Sequence, residues 1–154
     1  MEDKMKLCSD MYIGFSSSSI DVLKEDLGLA RAIEVAAKIW SRMGVYLAPI
    51  LEKKYYLTHK SIPKIAAMLT DFLKDKLCFE ATLKEASDTK ALIMVKPCLV
   101  WTKFKEFKLP PLCYRLCYSL MEQLVKHLNA DLTFAPGAQI RQGADRCEFI
   151  IQKQ

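Results

Sequence analysis

The stretch Leu77-Cys78-Phe79-Glu80-Ala81-Thr82-Leu83-Lys84 changes the rhythm of the chain. Before it, apolar residues recur every three or four positions. Here Leu77, Phe79, Ala81 and Leu83 alternate with Cys78, Glu80, Thr82 and Lys84, the two-residue period of a half-buried strand. Ser87-Asp88-Thr89-Lys90 then reads as a turn, and residues 91–100 as a second strand, nearly all apolar at its start. The pair is expected to form an antiparallel hairpin, with Pro97 marking an edge or a bend.

Working outward, Ile20, Leu23, Leu27, Ala30, Ile33, Ala37, Trp40, Gly44 and Leu47 lie on one helical face that starts at Ser16 to Ser19. Gly28 divides this run and Pro49 marks its end. Residues 53–60 read as a polar connection. A further helix begins at Ser61, an N-cap residue type, with Pro63 in its first turn and Ile62, Ile65, Leu69, Phe72 and Leu73 as its apolar stripe. Downstream, residues 101–111 read as a loop of alternating aromatic and basic side chains. Residues 112–128 form a helix with Cys113, Cys117, Leu120, Leu124 and Leu128 inward. Residues 131–135, 138–142 and 146–152 are expected to be short strands. The order predicts an α+β fold, with N-terminal helices and one later helix packed on an antiparallel sheet. Residues 1–18 are expected to be a flexible N-terminal arm and residues 19–154 a single ligand-binding domain.

The 154 residues are 51% apolar and 27% charged, ordinary values for one globular domain. Five glycines and six prolines exclude collagen-like and low-complexity readings. No apolar run is long enough to span a bilayer, and the start carries Glu2, Asp3 and Asp10 rather than a signal peptide's apolar centre. There is no glycine-rich phosphate loop. The net charge of +5, with Glu106 interrupting the basic run after Trp101, is too weak for a nucleic-acid surface. The expected partner is a small molecule, with neither nucleic acid nor membrane. Six cysteines without an export signal predict a reducing, cytoplasmic setting.

Those cysteines are the candidate chemistry. Cys113 and Cys117 are one turn apart on a helix, Cys98 lies late in a strand, and Cys147 opens the last strand after a tight turn. Packing of helix on sheet would bring the four toward one another. They are then core thiols, reactive thiols, or soft ligands for zinc or iron, and no Cys-x-x-Cys spacing selects among these. His127 lies near the edge of the same helix's inner stripe, within reach of a pocket rim. No Ser-His-Asp or His-Glu-x-x-His pattern is present.

Four runs in the C-terminal half occur in a set order: Lys96-Pro97-Cys98; Leu112-Cys113 to Leu116-Cys117; Leu128-Asn129-Ala130-Asp131-Leu132-Thr133-Phe134; and Gly143-Ala144-Asp145-Arg146-Cys147-Glu148-Phe149. Together they resemble the L-2-amino-thiazoline-4-carboxylic acid hydrolase-like family. The last run also resembles the ending of the 4-vinyl reductase domain, a relative of the nitric-oxide-signalling and Golgi-transport ligand-binding fold. The resemblance implies a pocket between helices and sheet, and an activity in which water opens a cyclic amidine at a C–N bond. It implies Cys98, Cys117 and Asp145 as catalytic candidates and Cys113, Trp101 and His127 as ligand contacts. Because similar cysteines hold a metal in related sensor proteins, it also implies Cys98, Cys113, Cys117 and Cys147 as zinc or iron ligands, the alternative being no cofactor. One position departs: where the family has an Asp three residues after the helix cysteine, this chain has Leu120. That loss of a general base shifts the expectation toward ligand binding. The alternative readings are a metal or ligand sensor and an interaction module, with a homodimer as the expected assembly.

Overall fold

Gly28 has a φ of 78°, a left-handed value that favours glycine, and it divides the N-terminal helical run in two. In the computed structural model, which describes residues 2–96, 98–109 and 112–154, α1 spans Glu2–Leu27 and α2 spans Leu29–Lys54. α3 (Ile62–Leu77) follows, starting after Ser61 with Pro63 in its first turn. The hairpin β1 (Ala81–Ala86) and β2 (Lys90–Val95) comes next, then α4 (Leu99–Glu106) and α5 (Leu112–Leu128). β3 (Leu132–Pro136), a 3₁₀ turn (Ile140–Gln142) and β4 (Cys147–Lys153) complete the chain.

The described strands form one antiparallel sheet in the order β1-β2-β4-β3. Ala91, Ile93 and Val95 of β2, Phe134 of β3 and Ile151 of β4 are buried, sharing one core with the apolar stripes of α3 and α5. On α5, Leu112, Leu116, Leu124 and Leu128 are almost completely buried, each contributing roughly 1.5–3 kcal/mol of transfer free energy. α2 lies on α5, and α1 lies on α2. This is the α+β architecture expected from the sequence.

Several expectations are corrected. Of the arm expected over residues 1–18, residues 2–18 belong to α1: Ile13 and Ile20 are buried, and so is Ser17, whose hydroxyl donates to the Ile13 carbonyl at 2.8 Å. The helical period was masked because Leu7, Met11, Phe15 and Val22 place a second apolar stripe on the exposed side. Pro49 does not end α2. Ala48 and Leu51, buried on either side of it, hold the last turns against the core, and this packing outweighs the ~3 kcal/mol helix cost of an interior proline. Leu77 closes α3, and Cys78 caps it in the left-handed region at φ 55°, so the first strand starts four residues later than its alternation suggested. β2 ends at Val95, and Pro97 lies outside the described residues.

The expected loop over residues 101–111 contains α4, whose Val100 and Phe104, one turn apart, are buried. Residues 138–142 form no strand. β4 is already paired on both edges, by β2 and β3, so the segment crosses beside the sheet as a 3₁₀ turn.

The tightest helix contact is at Gly44. A Cβ there would collide with the Leu120 carbonyl oxygen of α5 and come within 3.1 Å of the Leu124 nitrogen. A Cβ on Gly14 of α1 would meet nothing. Gly44→Ala is therefore expected to cost about 1–3 kcal/mol by forcing the helices apart, whereas Gly14→Ala gains about 0.5–1 kcal/mol from helix propensity. Thermal melts of the two variants check this; equal melting temperatures would remove the close approach as a constraint.

Candidate functional site

The sheet ends and α5 bring four thiols to one place. Cys98 stands at the N-cap of α4, just past β2; Cys113 and Cys117 face inward from α5; Cys147 is the first residue of β4. All four line a small cavity of about 40 Å³, as does Trp101. Its far wall is a chain of rings: Tyr114 to Tyr118 at 5.6 Å, Tyr118 to Phe134 at 5.7 Å, and Phe134 to Phe149 at 5.4 Å between centroids. The Arg141 guanidinium sits 4.3 Å over the Tyr114 ring and donates to Gln139 Oε1 at 2.6 Å. The 3₁₀ turn that replaces the expected strand is what delivers Ile140 and Arg141 here.

The thiols are not equivalent. A hydrogen bond from the Cys98 thiol brings Cys147 down to about 6, against the opposing effect of burial, with help from the Ile140 backbone N–H and the Arg141 charge. The same hydrogen bond, with burial, pushes Cys98 well above the ordinary thiol range. Burial pushes Cys113 up to about 11 and Cys117 further still. Cys117 is not fully enclosed by protein atoms, but its open side faces internal cavities, so its thiol stays neutral. The two directions are opposite: Cys147 is the thiol that loses its proton more readily and Cys98 the one that keeps it.

The donor set does not fit the expected metal centre. Among the described residues, no three His, Cys, Asp or Glu side chains come close enough together to hold a metal ion. Two further expectations are corrected. Asp145 is exposed on the turn before β4, ion-paired with Lys96 and Arg146 at 2.9 Å each, and lines neither cavity. His127 is exposed in the last turn of α5, its Nδ1 3.0 Å from the Gln123 carbonyl, also outside both cavities. The carboxylate that does line the thiol cavity is Glu148. It accepts from Arg146 Nε at 2.9 Å and from the Ala138 N–H at 3.1 Å, which lowers its pKa and commits it to structure.

A second cavity, of about 280 Å³, adjoins the first. Tyr12 and Ile13 of α1, Trp40, Met43 and Leu47 of α2, Phe72 and Leu73 of α3, and Leu120 and Met121 of α5 contribute to its lining. Cys117 and Phe149 belong to both linings and form the partition. The Tyr12 hydroxyl donates to Met43 Sδ at 2.8 Å, so even this polar atom is occupied. Leu120, where the resemblance leads one to expect an acid, is part of this apolar wall. The sequence signalled these residues only as members of helical stripes. A void between stripes has no signature in any one of them.

No family model and no curated protein matches the chain. Solved structures do. The trafficking protein particle complex subunit 3 of Naegleria fowleri, covalently bound to palmitic acid, superposes with a TM-score of 0.70 at 13% identity, over 97% of this chain and 96% of that one. The phenol-responsive sensory domain of the transcription activator PoxR, solved with phenol, gives a TM-score of 0.70 at 11% identity over 92% and 74%. At these identities the likeness establishes the fold, as anticipated from the 4-vinyl reductase resemblance. Among the described residues, no helix is long and apolar enough to cross a membrane.

The inequality of the thiols is measurable. Alkylation of Cys147 by iodoacetamide, followed by peptide mapping, is expected to rise with pH with a midpoint near about 6. Cys113 should stay unlabelled until near about 11. Cys98→Ala removes the donor and should move the Cys147 midpoint up toward that of an ordinary thiol. A wild-type midpoint already in that ordinary range would show that the two thiols do not meet.

Proposed function

We propose that this chain is a small-molecule-binding domain whose ligand is apolar with one polar end: the body in the larger cavity, the polar end toward Cys147 and Arg141. The observation that carries this reading is the apolar cavity of about 280 Å³ beside a thiol-lined mouth. Its lining is apolar and it is partly enclosed, so an apolar molecule seated there would remove that surface from water, and the rings and aliphatic side chains around it match the usual lining of ligand pockets. The two fold neighbours, one carrying palmitate and the other phenol, support an apolar ligand.

The finer reading, opening of a cyclic amidine C–N bond as in the aminothiazoline-carboxylate hydrolase-like family, requires a base to activate water. Leu120 supplies none, Asp145 is outside the cavities, and Glu148 is held by Arg146 and the Ala138 N–H. These placements favour binding over hydrolysis.

The chain's two tryptophans report on the two cavities separately, since Trp40 lines the larger and Trp101 the smaller. Titration of the Trp101→Phe variant with dodecanoate, and separately with phenol, should change Trp40 emission saturably at one ligand per chain for at least one of them. Leu120→Phe, which fills the larger cavity, should weaken that binding about tenfold or more. Linear, unsaturable changes with both probes, or unchanged affinity in the filled variant, would overturn the reading. The same protein incubated with aminothiazoline carboxylate should give no ring opening above buffer.

A second observation supports the expected homodimer. Leu7, Met11, Phe15 and Val22 lie within one turn's arc of α1 and are 59%, 65%, 73% and 56% exposed. On α2, Ile39 and Tyr46 are also largely exposed. Continuous apolar surface of this kind marks an association face. Sedimentation equilibrium should show dimers in the wild type and monomers after Met11→Asp/Phe15→Asp, with helical content retained.

A further inference from the structure

The thiol pair at the cavity mouth has an arrangement that ligand binding does not call for. Cys147 stands opposite Val95 in the β2–β4 ladder, and Cys98 follows Val95 by three residues as the chain leaves β2. The end of one strand and the start of its neighbour therefore present two cysteines to each other across a short gap. Each thiol acts on the other's proton affinity, and both line the same cavity. Cys98 is buried, whereas Cys147 is only partly covered. The accessible thiol thus neighbours a protected one, and the Ile140 N–H and the Arg141 charge also act on it. Cys113 and Cys117 share the cavity, but neither hydrogen-bonds another thiol.

We propose that Cys98 and Cys147 form a peroxide-responsive pair that closes into a disulfide across the mouth of the thiol-lined cavity. The Cys147 thiolate attacks one peroxide oxygen. The O–O bond breaks, hydroxide leaves and takes up a proton to become water, and Cys147 becomes a sulfenic acid. The Cys98 thiol, losing its proton, attacks the Cys147 sulfur. The S–O bond breaks and a second water leaves. Two thiols and one hydrogen peroxide give one disulfide and two waters; the thiols lose two electrons and the peroxide gains them. Low-pKa accessible thiols with an adjacent resolving cysteine are the usual site of such chemistry, and disulfides of this transient kind occur in reducing compartments. The pair does not depend on what the larger cavity binds. A failed ligand titration leaves it untouched, and a failed oxidation leaves the ligand reading untouched.

The test uses the full wild-type chain, fully reduced and then treated with equimolar hydrogen peroxide. Peptide mapping without reductant is expected to show one major species lacking two hydrogens, with Cys98 joined to Cys147, and dithiothreitol should restore both thiols. In Cys98→Ser, the sulfenic acid at Cys147 has lost its resolving partner and should be captured by dimedone at roughly ten times the wild-type yield or more. Cys113→Ser should still form the disulfide. The proposal is overturned if the wild type links Cys147 mainly to Cys113 or Cys117, or if Cys147 passes to sulfinic acid with no disulfide formed. It is equally overturned if the pair stays reduced while the other thiols oxidise. The wild-type mapping decides the matter even where a variant fails to fold.

Discussion

The close approach of α2 to α5 at Gly44 is the constraint on which the rest of the interior depends. With no Cβ at that position, the α2 backbone can press against the Leu120 carbonyl and the Leu124 nitrogen. Trp40, Met43 and Leu47 fan out around the contact, and they become the α2 wall of the larger cavity. On the α5 side, Leu120 and Met121 form the opposing wall and Cys117 its end. Interiors are normally packed without voids much larger than a water. Here the helix contact is tight and the space beside it is open, so the cavity is a product of the packing and not of its failure elsewhere.

Polarity is graded across the two cavities. The larger one is lined by aliphatic and aromatic groups, its tyrosine hydroxyl tied to a methionine sulfur. Beyond the partition of Cys117 and Phe149, the walls gain a guanidinium, an amide, a carboxylate and a thiol pair. The grading follows from topology. α1, α2 and α3 can offer only their inward stripes, whereas the second cavity lies where the sheet ends and the 3₁₀ turn meet, and such termini carry polar groups with unpaired backbone donors nearby. The Ile140 N–H and the Arg141 charge act on Cys147 for that reason.

Where one periodicity acted alone, the sequence was readable. α5 falls on residues 112–128 as expected because Leu112, Leu116, Leu124 and Leu128 repeat cleanly, and the hairpin follows from the alternation before the Ser87 turn and the apolar run after it. Gly28 parted two helices because φ 78° suits little else. Readings failed where two influences overlapped. α1 carries an exposed apolar stripe as well as a buried one, and the two together cancel any single face. α4 is two turns long, too short for Val100 and Phe104 to establish a period. Residues 138–142 alternate well enough for a strand, but β4, the strand they lead into, is already paired on both sides. That the four cysteines could approach one another was legible from helix packing on sheet; whether they do depends on strand order, which the sequence does not encode. The misplacement of Asp145 and His127 was not legible, since their direction depends on a turn and a helix end whose geometry no pattern encodes.

Leu120 draws these strands together. Its position on α5 is fixed by the Gly44 contact, which takes the Leu120 carbonyl as its stop, and its side chain faces the larger cavity. An acid at that point would lie in an apolar space with no donor nearby except a tyrosine hydroxyl already used, and would either take up a proton or admit water. Either outcome prepares a site for proton transfer. Leucine does the opposite: it adds no titratable group and extends the apolar wall that includes Met121 and Phe149. Within one fold, a single side chain at this depth therefore decides whether the space between helices and sheet is suited to activating water or to excluding it. In this chain the side chain there is apolar, and the thiol whose pKa is lowered, Cys147, lines the smaller cavity and not the larger one.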